Sequence, residues 1–219
     1  MWHDLSQVLQ PGMYLQSRYS GLRGVYRHTE LDGGGVNITA VDLPFHSGTH
    51  VDSPRHFVPD GPGIEEMSLD AFMGWATTVR LELAPLEGIT SRKLRTAVSA
   101  SPYVPGDILL ISTTWDRYFL TDVGEYARHP WLTEDAAEYC VTIEPKAVGL
   151  DTPTPDLAEI LRGEGFIWPV HRTLLGAGIL VYENLANLDP LVGRRVRFMG
   201  LPIPALGADG AFVRAIAEL

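Results

Sequence analysis

Eleven residues, His46-Ser-Gly-Thr-His50-Val-Asp52-Ser-Pro-Arg-His56, constrain the fold of this chain more than any other stretch. They hold three of its seven histidines. Gly48 and Pro54 disfavour a helix, so the segment must be strand and loop. In extended chain His50 and Asp52, two residues apart, point to the same side. A tight turn through Gly48 can bring His46 onto that side. Imidazoles and a carboxylate converging from one short piece of backbone suit a divalent first-row metal such as zinc or manganese. The spacing is not the helical H-E-x-x-H arrangement of the zincins. His56 is left as a spare imidazole beside the cradle.

The rest of the chain bounds the setting. Its 219 residues, 45% hydrophobic and 20% charged, fit one globular domain able to bury a large core. A net charge of −10 disfavours nucleic acid and anionic membranes as partners, since both need positive surface. The local basic run Arg194-Arg195-Val-Arg197 reads as a solvated strand edge. A single cysteine, Cys140, excludes an intrachain disulfide and reads as a small buried hydrophobe. No signal-peptide pattern and no apolar run of bilayer length is present, so a cytoplasmic protein is expected.

Short apolar strands alternate with short helices. Residues 1–35 read as loop-rich, and strands are expected at 36–41, 77–83, 108–111, 147–150, 179–182, 196–201 and 212–217. Ser68 caps a short helix, Thr90 or Ser91 starts another, and Thr133 caps a third with Glu134 and Asp135 in its first turn. Thr154-Pro155 predicts a further helix with Leu157, Ile160 and Leu161 on its apolar face, ended by Gly163. A helix around Arg172 to Leu175 follows. The mixture predicts an α/β or α+β domain over residues 1–219, built on a mixed sheet.

Further donors can be sought late in the chain. His171 leads a helix, and Glu183 ends an otherwise apolar strand, where a buried carboxylate needs a partner. A helix start and the following strand end can meet at one rim of a sheet, which makes both plausible partners of the early cluster. His3, His28 and His129 lack acidic neighbours at ligand spacing. Ser47 and Ser53 read as loop-shaping, Asp107 as a turn residue, and Asp151 as local structure. Phe57, Trp115 and Trp168 are candidates for a flat aryl slot, although core packing is the commoner role of each.

The histidine segment resembles the motif of the metal-dependent cyclase-like hydrolases, which include bacterial kynurenine formamidase and isatin hydrolase. The resemblance extends through Pro105-Gly106-Asp107-Ile-Leu-Leu-Ile-Ser-Thr-Thr-Trp115, Gly149-Leu-Asp151-Thr-Pro153, His171-Arg-Thr-Leu-Leu175 and Glu183-Asn184-Leu185. It covers the chain from about residue 36 onward, while residues 1–35 depart from the formamidase opening. It implies a swivelling β/β/α domain around a mixed sheet, assembled as a homodimer or homotetramer. It also implies that His46, His50 and Asp52 hold one metal, that Asp52 with His171 and Glu183 holds a second, and that His56 is the acid/base. The isatin hydrolase branch works with one manganese, so one or two ions per subunit are expected.

The resulting expectation is hydrolysis of a non-peptide C–N bond in an aryl formamide, such as N-formylkynurenine, or in a cyclic amide. A metal would lower the pKa of a bound water from about 15.7 toward about 7, and His56 would carry the proton to the leaving nitrogen. Two rivals stand beside it: a metal-dependent lyase or cyclase acting on a hydroxy-acid or polyketide-like substrate, and a non-catalytic metal-binding protein with a closed four-ligand site.

Overall fold

The computed structural model describes residues 1–17, 25–30 and 37–219. In chain order the strands are β1 (Trp2–Asp4), β2 (Val25–Glu30), β3 (Asn37–Asp42), β4 (His50–Asp52), β5 (Met73–Arg80) and β6 (Gly88–Ile89). Helix α1 (Ser91–Ser99), β7 (Ile108–Ser112), α2 (Val123–Tyr126), β8 (Trp131–Leu132), α3 (Glu134–Ile143) and β9 (Ala147–Leu150) follow. The chain continues through α4 (Pro169–Gly176), β10 (Leu180–Glu183), β11 (Arg195–Met199), β12 (Gly210–Phe212) and β13 (Ile216–Glu218). Nine strands form one mixed sheet in the order β1-β13-β11-β5-β7-β9-β10-β4-β12. The central pairs β5–β7, β7–β9 and β9–β10 are parallel, and the flanking pairs are antiparallel.

Strand alternation divides the core in two. Ile108 and Leu110 of β7, Leu180 and Tyr182 of β10, and Val51 of β4 face an interior shared with Phe198, Ala211 and Ala217. Leu109, Ile111, Val148 and Val181 face the opposite way, onto Leu94 and Val98 of α1, Ala136 and Cys140 of α3, and Leu174 and Leu175 of α4. β12 lies at one end of the sheet order, and β13 is next to the other end. Only residues 213–215 separate them, and extended chain advances about 3.3–3.6 Å per residue. The sheet must therefore curl until its two ends approach. One face is closed by the sheet itself and the other by helices, which agrees with the mixed β/β/α expectation.

Several sequence expectations change here. Residues 1–35 contain β1 and β2. Of the strand at 36–41, Val36 lies outside the described residues. The strand expected at 212–217 is two strands, because the chain must leave β4 and cross to β11. The helix expected after Thr154-Pro155 does not form. Residues 151–153 and 155–156 are bends, a single 3-10 turn spans Glu159–Leu161, and Ile160 is exposed. The Asp156 carboxylate is instead committed to the first turn of α4, as described below. The basic run is not at an edge: β11 sits between β13 and β5. Arg195 forms two 2.8 Å bonds to the Asp107 carboxylate and packs over the Trp75 ring with Arg197. Asp107 is thus an ion-pair residue as well as an acceptor for the Val104 N–H in its turn. Cys140 is buried, and burial pushes its thiol up to about 12. Among the described residues no helix is long and apolar enough to cross a membrane.

His129 is buried and donates from Nδ1 to the Pro130 carbonyl at 2.9 Å. Burial, aided by the Arg162 charge, lowers its pKa to about 4. A depressed folded-state pKa means that its contribution is complete above the unfolded value of about 6.5 and is lost as pH falls toward 4. Urea unfolding of the metal-free protein should therefore lose about 3 kcal/mol through this group across that window. A His129→Gln protein should lack that component, and parallel pH profiles for the two proteins would refute the assignment.

Candidate metal centre

β4 supplies the centre of the site. Its register with β10 sets His50 opposite Glu183 and Asp52 opposite Val181. Val51 faces the sheet interior, so His50 and Asp52 share the helix-facing side with Glu183. On the other flank, β12 sets Gly210 opposite Asp52. Gly48, at φ +60°, turns His46 onto the same side, where its Nδ1 lies 2.8 Å from Asp52 Oδ1. His56 follows on a 3-10 turn spanning Pro54–His56 and stacks on His46 with ring centroids 4.0 Å apart.

His171 arrives from α4. The helix begins after Trp168, which has left-handed backbone and offers no side-chain cap. Asp156 does that work from a distance. It accepts the Val170 and His171 N–H groups at 3.0 Å each, satisfying two donors that an uncapped helix end leaves open. It also takes the His171 Nδ1–H at 2.5 Å. His171 Nε2 is thereby aimed inward, 3.0 Å from Glu183 Oε1 and 3.3 Å from Asp52 Oδ2.

The electrostatics follow from this crowding. Burial alone would lower the imidazole pKa of His46 and His50. Asp52 with Asp209 overrides this at His46, holding it at about 9, and Asp52 with Glu183 holds His50 at about 10. Burial would raise Glu183, yet its bonds to His171 and His50 keep it at about 2. Without a metal, protons on the imidazoles balance ionised carboxylates, and a divalent cation would take the place of those protons.

The residues fit such a cation. His50 Nδ1 donates to the Gly48 carbonyl at 2.8 Å, so the lone pair of the neutral ring lies on Nε2. That Nε2 is buried 3.2 Å from Glu183 Oε2 and 3.3 Å from Asp52 Oδ1, and Asp52 Oδ2 lies 3.3 Å from His171 Nε2, yet neither atom makes a well-formed hydrogen bond. Poorly satisfied buried polar atoms are costly, and here both lie in one cluster. His46, His50 and Asp52 can bring three ligand atoms within 4.8 Å of one another, and so can Asp52, His56 and His171. A β-carbon on Gly210 would stand 2.7 Å from His46 Cε1 and 3.0 Å from the Val51 carbonyl oxygen. A Gly210→Ala protein should therefore displace His46 and bind metal at least ~10-fold more weakly. Competitive titration with a zinc indicator reads this, and unchanged affinity would show that His46 is not needed at its present place.

All five ligand candidates from the sequence are thus brought together, with His56 beside them. Phe57 lies 4.9 Å from the His171 ring and 6.2 Å from Trp168, so these two can border a slot. Trp115 does not: it is buried and packs on Tyr118 in a separate cluster. Asp151 accepts from the Thr113 N–H and hydroxyl, a local role. Ser53 bonds the Asp209 carbonyl and so shapes the loop. Two residues were not found from the sequence, Asp156 and Asp209. Asp209 Oδ2 lies 2.7 Å from His56 Nδ1 and 3.0 Å from His46 Nε2. Its only cue was an acid within Gly207-Ala-Asp-Gly210, which reads as an ordinary turn.

A curled mixed sheet with a buried histidine and carboxylate cradle on its helical face defines the class of this molecule. The chain belongs to the family described as putative cyclase, whose sequence model matches residues 3–157. It is 25% identical over 217 residues to a kynurenine formamidase of Erythrobacter litoralis, covering 97% of this chain and 91% of that protein. A kynurenine formamidase of Delftia acidovorans is 30% identical over 190 residues, covering 84% and 81%. Among solved structures, an isatin hydrolase bound to the product analogue thioisatinate superposes with a TM-score of 0.86 at 20% identity, covering 100% of this chain and 92% of that one. Isatin hydrolase A from Ralstonia solanacearum gives 0.83 at 22% identity, covering 99% and 91%. These structural likenesses establish a shared fold.

Proposed function

We propose that this protein is a metal-dependent hydrolase of a non-peptide C–N bond, acting on an aryl formamide such as N-formylkynurenine or on a cyclic amide. The observation that carries the reading is the buried convergence of His50 Nε2, Asp52, His171 Nε2 and Glu183 at 3.0–3.3 Å, beside a histidine that has its own carboxylate partner. The names of the relatives support the substrate class. His46, His50 and Asp52 hold one zinc or manganese ion, and Asp52, His171 and Glu183 supply the donors for a second. When bound, the metal supplies a water activated at neutral pH and polarises the scissile carbonyl.

The chain's own residues do the rest. His56 takes a proton from the attacking water and returns it to the leaving nitrogen, a task suited to an imidazole. Phe57 and Trp168 border the aryl ring. Asp156 fixes the orientation of His171, and the Gly48 carbonyl fixes that of His50. A cytoplasmic homodimer or homotetramer completes the reading.

The test is the hydrolysis of N-formylkynurenine by protein loaded with zinc or manganese, with formate and free aryl amine quantified. Turnover of about 1–10³ s⁻¹ with equal amounts of both products is expected. Negligible turnover with metal bound removes this substrate. Loss of water or ring closure without formate would instead identify a lyase or cyclase.

A further inference from the structure

We propose that Asp209 is a positioning residue that sets the ring tautomers of both the metal ligand His46 and the acid/base His56; the assignment rests on the function proposed above. One carboxylate oxygen, Oδ2, lies 3.0 Å from His46 Nε2 and 2.7 Å from His56 Nδ1. An ionised carboxylate only accepts, so each of those nitrogens must carry its proton. On His46 the other nitrogen, Nδ1, lies 2.8 Å from Asp52 Oδ1 and by the same rule carries a proton in the metal-free protein; a bound metal would take that proton's place, leaving Nε2–H on Asp209. On His56 the lone pair lies on Nε2, away from Asp209 and free to receive a proton. The stacking of the two rings at 4.0 Å lets one oxygen serve both.

The arrangement is built into the fold. The Asp209 carbonyl accepts from the Ser53 N–H at 3.0 Å and from the Ser53 hydroxyl at 3.1 Å. The neighbouring Ala208 carbonyl accepts from the Ile64 N–H at 3.1 Å. The chain at Ser53 and at Ile64 is thus tied to the loop that carries the carboxylate. The Asp209 side chain is itself 45% exposed. A carboxylate so open to water adds little to stability through ion pairing. Its double engagement is better explained by what it does to the two imidazoles. In metal sites and in serine-protease-like triads, a carboxylate behind the histidine fixes which nitrogen faces the chemistry.

The experiment uses zinc-loaded protein labelled with ¹⁵N at histidine. In the wild type, long-range ¹H–¹⁵N spectra should show His56 protonated at Nδ1 and His46 at Nε2. In Asp209→Asn, a neutral amide oxygen is a weaker acceptor than the carboxylate, so its hold on both N–H groups weakens and the His56 tautomer should become mixed. Zinc affinity should fall about 10–100-fold, the usual loss when a ligand's outer partner is removed. At saturating zinc, kcat should still fall about 10²–10⁴-fold with KM little changed. A wild-type spectrum with His56 protonated at Nε2 overturns the proposal without any variant. So does an Asp209→Asn protein whose tautomers match the wild type and whose kcat stays within about threefold of it. If the wild type turns over no aryl formamide, the proposed reaction fails, while the spectra and zinc titration still decide the role of Asp209.

Discussion

Protein carrying Asp52→Asn should emerge from dialysis without bound metal and without hydrolytic activity. Asp52 is the one carboxylate common to both histidine sets. Its Oδ1 lies 2.8 Å from His46 Nδ1 and 3.3 Å from His50 Nε2, and its Oδ2 lies 3.3 Å from His171 Nε2. Removing an outer partner of a ligand costs about 10–100-fold in affinity, and removing a shared ligand should cost more. The metal-free variant should also be weaker than the metal-free wild type. Breaking one side of a buried ion pair costs about 3–5 kcal/mol when its partner is left charged. Three imidazoles would then rely on Glu183, Asp156 and Asp209 for compensation. Elemental analysis and thermal melting read both effects. Stoichiometric metal in the variant would show that the cradle is not where the ion sits.

His56→Ala should behave in the opposite way, keeping its metal while losing about 10²–10⁴-fold in rate, the usual contribution of a positioned acid/base. The ring stacks on His46 and meets Phe57 edge to face at 4.5 Å. It also meets the His171 ring edge to face at 5.8 Å, but no hydrogen bond from His56 positions His50, Asp52, His171 or Glu183. Metal content equal to that of the wild type, together with a depressed kcat, is the expected result. Loss of metal parallel to that in Asp52→Asn would make His56 a ligand and remove the acid/base role.

Much of the site was legible because its donors sit on regular structure. The spacing of His50 and Asp52 is strand periodicity, and Gly48 marks the turn that recruits His46. Glu183 stood out as a carboxylate closing an apolar strand, and His171 as a helix-leading imidazole on the same rim. Asp156 and Asp209 act from bends and turns, where no period exists and an acid is common anyway. The segment after Thr154-Pro155 carries local capping signals for a helix, yet it runs as bends that bring Asp156 to the first turn of α4. The basic run was misplaced for a related reason. Strand order is set by long-range pairing, and a run of arginines does not reveal that Asp107 lies beside it.

The place of β4 in the sheet, between β10 and β12, also bears on how the protein is made. A ribosome delivers the histidine segment well before its last neighbour in the sheet, Gly210 to Phe212. Until then one edge of β4 lacks its partner strand, and His46 and His56 lack the carboxylate behind them. Contacts that span so much sequence form slowly, because the long loop must close first. The cradle would accordingly reach its full geometry only once Gly210 to Phe212 has paired with β4.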